Sequence, residues 1–205
     1  MKKFQSYIYD KHRTELYSDG VFAIIITLLV LEIKVPEIPH NADVFTAITT
    51  IWMLKSKIIS WVISFLMVSV GWTQHHNILH MSKKADLAMI WLNIFILMTF
   101  CLVPFTAALM GDNPMNATAI SLYGIALAIS SFFMCLMYRY ICKYQLKDSY
   151  DKKSVRKNVK IAIVLGPLLF IVAALSAFIS PYISYIIYAL IPIAFIFPLD
   201  KENVN

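Results

Sequence analysis

The sequence predicts an all-α membrane protein with six transmembrane helices per subunit and both termini cytoplasmic. Three observations predict it. The 205 residues are 60% hydrophobic with mean hydropathy +0.70, too apolar for a soluble domain of this length. The apolar residues fall in blocks of roughly 20, the length that crosses a ~30 Å hydrocarbon core. Lys and Arg are unevenly shared between the loops. Backbone polar groups in lipid must be satisfied within the segment, so each block reads as a helix. Little sequence is left for anything else, and residues 1–205 read as one membrane domain.

The blocks lie at about 18–35, 58–74, 87–110, 116–140, 159–179 and 182–199. The first begins at Tyr17-Ser18-Asp19-Gly20 and is broken only by Thr27 before Glu32. It is short for a span and carries charge at its edges, which suits burial at the centre of an assembly. Lys2, Lys3, Lys11 and Arg13 precede it as in a signal peptide, but Leu31 to Pro36 offers no small-x-small cleavage site, so removal is not expected. The second block ends before His75, His76 and His80. The third contains Pro104, where a kink is expected, and the fifth contains Gly166-Pro167, where another is. Blocks four to six carry almost no charge and read as a lipid-facing shell. Tyr144 to Lys157 reads as a charged loop with partial helix. Cys101, Cys135 and Cys142 lie in or beside apolar blocks and read as small buried hydrophobes.

Fifteen Lys and Arg fall on the side of the N-terminus, eight of them in the fourth loop, and three on the other side (Lys34, Lys55, Lys57). The positive-inside rule makes the rich side cytoplasmic. The net charge of +6 is then a juxtamembrane feature beside anionic headgroups. Basic residues are not interleaved with aromatic stacking platforms, so nucleic acid is not an expected partner.

At ~100° per residue the first block has two faces. Gly20, Ile24, Thr27, Leu28, Leu31 and Val35 form one stripe; Phe22, Ile26, Leu29 and Ile33 lie opposite, with Asp19. The second face has bulk to pack on neighbours and a charge that needs a partner. Ser18 is a candidate N-cap, and Asp19 sits where the helix dipole favours an anion. Arg13, His75, His76 and His80 are candidate partners for Asp19. Two readings of this acid stay open, a structural or gating network and a proton carrier. His76 and His80 stand at i, i+4, a metal-compatible spacing, but only Asp86 could help complete a site, and no metal is expected. Asn93, polar in an apolar helix, calls for a partner on a neighbouring helix. Glu32 lies roughly 80° from the Ile24 stripe and reads as an interfacial charge or an acid at a pore mouth.

These residues carry a resemblance. Arg13-x3-Tyr17-Ser18-Asp19 resembles the Arg-x3-Phe-Ser-Asp signature of the transmembrane protein 175 family, endosomal and lysosomal potassium channels with prokaryotic homologues. Gly20-Val21-Phe22-Ala23-Ile24 and Thr27 to Ile33 are similar to the prokaryotic branch. Trp72-x2-His75-His76, Asp86-x4-Trp91-x-Asn93, Pro104-Phe105 and Ala107 to Gly111 extend the match through about residue 111. Tyr17 departs from the family's phenylalanine. The resemblance implies a potassium-preferring monovalent cation channel in the cell membrane, a homotetramer, with no cofactor beyond permeant K+. It places a hydrophobic constriction at Ile24, Leu28 and Leu31 and a selectivity layer at Thr27. It places Arg13, Tyr17, Ser18, Asp19, His76, Asp86, Trp91 and Asn93 in a network that holds the first three helices together, with His76 the implied partner of Asp19.

The chain has no Thr-Val-Gly-Tyr-Gly carbonyl filter, so selectivity needs another basis. A secondary transporter and a proton-permeable channel are the alternatives; the first calls for inverted repeats and midplane acids, which are not evident. An enzyme is not expected, because no His-Glu-x2-His or paired intramembrane acids occur. A non-conducting membrane adaptor stays open.

Overall fold

The structure, a computed structural model, describes residues 10–151, 155 and 166–196. Eight helices are described: α1 (Lys11–Leu31), α2 (Val44–Trp52), α3 (Lys55–His80), α4 (Leu87–Phe100), α5 (Val103–Asp112), α6 (Ala117–Tyr144), α7 (Gly166–Ser176) and α8 (Pro181–Ile196). Among the described residues four segments are long and apolar enough to cross a bilayer: α1, α3, Leu87–Asp112 and α6. The described residues contain no strand; Ser82 and Leu146 form an isolated bridge. The all-helical fold class stands; α7 and α8 are apolar but shorter than a span.

Helix ends differ from the hydropathy blocks for identifiable reasons. α1 starts at Lys11 rather than near 18. Asp10, not Ser18, is its N-cap, accepting the His12 N–H at 3.0 Å. Hydropathy marks the part of a helix that meets lipid, and here a polar, capped turn precedes it. α1 stops at Leu31, ahead of Pro36, rather than at 35. α3 likewise outruns its block at both ends, so His75, His76 and His80 lie on the helix and not after it.

The third block is divided. α4 ends at Phe100, and α5 restarts at Val103 with Pro104 in its first turn, where a missing N–H costs nothing. The interruption thus falls at residues 101–102, just ahead of the proline where a kink is expected. Between α1 and α3 stands a helix the apolar pattern does not signal. Asp43 caps α2 by accepting the Thr46 N–H at 3.0 Å. Thr49 and Thr50 return their hydroxyls to the Thr46 carbonyl at 2.9 and 2.8 Å, which lets β-branched polar residues sit in a short helix. Residues 159–165 of the fifth block and 197–199 of the sixth lie outside the described residues, as does most of the basic part of the fourth loop.

Packing follows membrane rules. Lipid is as apolar as a core, so helices associate through close approach and hydrogen bonds. Gly71 lies directly under the Phe100 ring, and a Cβ there would come within 2.6 Å of it. Gly124 admits Tyr188 and Ala174 in the same way. Ser60 donates to the Ala107 carbonyl (2.6 Å), Ser64 to the Tyr123 hydroxyl (3.1 Å) and Ser121 to the Ala174 carbonyl (2.7 Å).

α6 corrects the reading of the later helices as a lipid-facing shell. In its most apolar stretch 61% of residues are buried, against 28% for α1. It packs on α3, α4, α5 and α8, and its buried Ile120, Tyr123 and Leu127 belong to the common core. Only one stripe, Leu122, Ile125, Ile129 and Phe132, faces outward. Cys135 and Cys142 are buried as expected, whereas Cys101 is exposed.

Candidate functional site

α1 packs against α3, α4 and α5, and its two faces are unequal. Thr14, Ser18, Phe22, Ile25 and Leu29 are buried, at the i, i+4, i+7 spacing of one helix face. Phe22 meets Phe100 edge-on at 5.0 Å between ring centroids and His75 at 5.3 Å. The other face remains uncovered in the protomer: Ile24 is 59% exposed, Leu28 43% and Leu31 72%. Gly20 and Thr27 are exposed with them. The expected division of faces is present, with one change of register. Ile25 is buried, while Ile26 and Ile33 are only half-buried.

Thr27 points its hydroxyl back along the helix, donating to the Ala23 or Ile24 carbonyl at 3.0 and 2.9 Å. Its oxygen lone pairs stay free to accept.

Below this surface, toward the α1 N-terminus, lies a fully buried polar junction. Asn93 on α4 is 1% exposed, Ser18 on α1 0% and His75 on α3 1%. The Asn93 amide donates to Ser18 Oγ at 2.9 Å, and its carbonyl oxygen meets His75 Nε2 at 2.7 Å. That oxygen can only accept, so His75 carries its proton on Nε2 toward Asn93. Ser18 has one hydrogen and gives it to the Thr14 carbonyl at 2.8 Å. Three helices are thus tied by groups that are all satisfied.

The remaining predicted residues form separate sites. Asp19 is bound by Trp72 Nε1 at 2.8 Å. This corrects the expectation that a histidine or Arg13 would take it. His76 instead stands beside Trp72 (5.9 Å) and His80 (6.5 Å) in an exposed ladder of rings. Among the described residues no group of His, Cys, Asp or Glu is arranged to hold a metal.

Asp86 caps α4 through the Met89 N–H (3.0 Å) and accepts Tyr140 Oη at 2.7 Å and the Gln145 amide. Gln145 also receives Ser82 Oγ at 2.8 Å. This clasp joins the α3–α4 turn to the end of α6, and Lys83 pairs with Asp148 beside it at 2.7 Å. Trp91 is 52% exposed and stands tilted beside Phe95, 6.2 Å between ring centroids. Arg13 and Tyr17 are exposed and line a cleft of about 330 Å³ with Thr14, Asn93 and Ile94. Arg13 makes no ion pair among the described residues.

Tyr140 and Gln145 are participants that sequence reasoning did not name, Trp72 entered only through the resemblance, and His75 was read as a candidate partner of Asp19 and not of Asn93. For His75 a signal existed. Ser60, Ser64, Gly71 and His75 fall on one stripe of α3, and small residues mark the face a membrane helix turns to its neighbours. Tyr140 and Gln145 have no such signal.

The family model described as endosomal/lysosomal potassium channel TMEM175 matches residues 13–104. A potassium channel of Chamaesiphon minutus is 34% identical over 182 residues, covering 84% of this chain and 86% of that one. The crystal structure of a lysosomal potassium-selective channel TMEM175 homolog from the same organism superposes with a TM-score of 0.79 at 29% identity, covering 91% of this chain and 96% of the other. The zebrafish endosomal/lysosomal proton channel TMEM175 is 23% identical over 93% of this chain, which spans 38% of it. These matches, with four apolar spans and an uncovered aliphatic face on the first, make the chain a multi-pass membrane protein, a channel for monovalent cations and not an enzyme: it belongs to the TMEM175 family.

Proposed function

We propose that the chain is a potassium-preferring channel of the cell membrane, a homotetramer whose first helices surround a common axis with Ile24, Thr27, Leu28 and Leu31 inward. Each subunit crosses the membrane six times, and both termini are cytoplasmic. The observation that carries this reading is the division of α1. A span seated in its own protomer by Phe22, Ile25 and Leu29 leaves its Ile24 stripe without a partner. One short lining helix per subunit cannot enclose a path, but four can.

In such a ring, stacked Ile24, Leu28 and Leu31 side chains expel water and close the path by dewetting. Thr27 supplies the only side-chain oxygens on the stripe. Its hydrogen is turned to its own backbone, so four lone-pair donors face a passing cation and replace part of its hydration shell. So few ligands, held by side chains, give modest discrimination of potassium from sodium. Residues 20–31 contain no ionisable group, so an aliphatic constriction, not a relay of acids, governs whether protons pass.

Two measurements test this. Native mass spectrometry of the solubilised particle is expected to give four copies of the 23.4 kDa chain. In planar bilayers, Ile24→Ala with Leu28→Ala is expected to raise conductance and weaken the preference for potassium. Conductance and preference identical to the parent channel would remove the pore assignment.

A further inference from the structure

A second cavity lies away from the Ile24 stripe, among α3, α6, α7 and α8. Its volume is about 570 Å³, within the ~300–1,000 Å³ range of small-molecule sites. α3 contributes the wall from Met67 to Met81 and α6 the wall from Leu127 to Tyr138. Ser64 meets Tyr123 at the outer end of this pair, and Lys83 meets Gln145 past its inner end, so the two walls run in the same direction. Met67 to Ile78 spans ~16 Å at ~1.5 Å per residue. The cavity is therefore a slot along the spans and not a round pocket.

The slot is polar at one end. Its outer half is closed by Met67, Val70, Phe100 and Leu127, whereas Gln74, Asn77 and Tyr138 stand toward the inner end. The Gln74 and Asn77 amides have no partner among the described residues. Gln74 is half-buried and Asn77 exposed, so both amides are open to a ligand at the edge of the apolar slot. The inner end is also the basic one. Lys11 and Lys83 there are paired with Glu15 and Asp148, while Lys84, Arg139 and Lys143 at the same end of the helices make no ion pair among the described residues. The outer end has Lys57 already paired with Asp112 at 2.5 Å.

We propose that this slot holds one acyl chain of an anionic bilayer phospholipid, with its glycerol ester at the Gln74 and Asn77 amides and its headgroup among the basic residues of that end. A straight apolar channel in α3 and α6, both membrane spans, is surrounded by acyl chains. The two amides supply donors for ester oxygens, and the charge at the inner end selects an anionic head. Gly71 makes room for the Phe100 ring that closes the outer half of the slot. Any side chain there would strike Phe100.

The test uses the full-length channel in liposomes containing phosphatidylglycerol with a photoactivatable diazirine in mid-chain, or phosphatidylcholine carrying the same group. Adducts are mapped by peptide mass spectrometry. The phosphatidylglycerol probe is expected to label Met67, Val70 and Met134 in preference to the outward stripe of Ile125, Ile129 and Phe132. Val70→Trp, which fills the slot, is expected to abolish slot labelling and leave the stripe labelled. Leu169→Trp, from the opposite wall, serves the same purpose should Val70→Trp fail to fold. Asn77→Leu is expected to erase the preference for phosphatidylglycerol over phosphatidylcholine. Equal labelling of slot and stripe, or slot labelling that survives both fillers, would overturn the site. A preference for phosphatidylglycerol that survives Asn77→Leu would overturn the anchoring of the head.

Discussion

Replacing Asn93 by Leu removes the group that joins α1, α3 and α4 while nearly keeping its volume. The structure fixes what is lost. Asn93 accepts from His75 Nε2 at 2.7 Å and donates to Ser18 Oγ at 2.9 Å. Ser18 keeps its own donation to the Thr14 carbonyl, so its loss is one accepted bond, ~0.6 kcal/mol by the average for membrane proteins. His75 is worse placed. It is 1% exposed, packed against Phe22, and left with a buried N–H that nothing else receives; such an orphan costs ~1–3 kcal/mol. Asn93→Leu is therefore expected to destabilise the protein by about 2–4 kcal/mol, the sum of the two terms.

Unfolding in mixed micelles by added sodium dodecyl sulfate, followed by circular dichroism, measures this difference. A double-mutant cycle sharpens it. His75→Leu in the Asn93→Leu background removes the orphan itself, so the pair is expected to cost at least ~1 kcal/mol less than the separate losses combined. Losses that simply add, or a single-variant loss below ~0.5 kcal/mol, would show that the junction does not hold the three helices together.

Two further outcomes are expected. Gly124→Ala forces a methyl against the Tyr188 hydroxyl and to within 2.8 Å of Ala174 Cβ, and overpacking of this kind costs ~1–3 kcal/mol. Gly20→Ala meets nothing within 4 Å in the protomer and gains up to ~1 kcal/mol of helix propensity, so thermal melts of the two variants should move in opposite directions; a matched fall would argue against this packing. Tyr140→Phe removes a charge-assisted donor from Asp86, a bond of ~1.5–3 kcal/mol, and should loosen the segment held at Gln145. Trypsin is then expected to cut after Lys147 faster than in the parent, and an unchanged rate would deny the clasp a role in ordering that segment.

What the sequence makes legible follows from range. The uncovered stripe of α1 is a property of one helix, and a 100° step suffices to find Ile24, Leu28 and Leu31. The burial register is not such a property. It depends on how α3, α4 and α5 approach α1, which is why Ile25 is buried where Ile26 was expected. Asp19 illustrates the same limit. Its need for a partner is plain from its chemistry, but several donors lie near it in sequence pattern, and only the tertiary arrangement selects Trp72. His75 and His76 are neighbours in the chain and ~100° apart on the helix. One ends in the three-helix junction and the other in an exposed ring ladder. The ends of helices are hidden for another reason: apolar blocks trace the bilayer, whereas caps such as Asp10 and Asp43 are set by hydrogen bonds outside it.

In the proposed pore the two faces of α1 have separate tasks. Rings of Ile and Leu exclude water only if their backbone cannot swing aside when ions and water press on it. The inner face meets that requirement. Phe22, Ile25 and Leu29 are at most 2% exposed, Phe22 is wedged between Phe100 and His75, and Ser18 is tied at the end of the same stripe. The outward residues take no part in this seating. Perturbations should therefore separate by face. Asn93→Leu should lower stability and leave the ion preference of surviving channels unchanged, since Phe22, Ile25 and Leu29 still seat the helix. Leu28→Ala should alter conduction at almost no cost in stability, because Leu28 is 43% exposed in the protomer. A channel whose ion preference shifted with Asn93→Leu, at full occupancy of the folded state, would mean that the seating network and the permeation surface are one structure and not two.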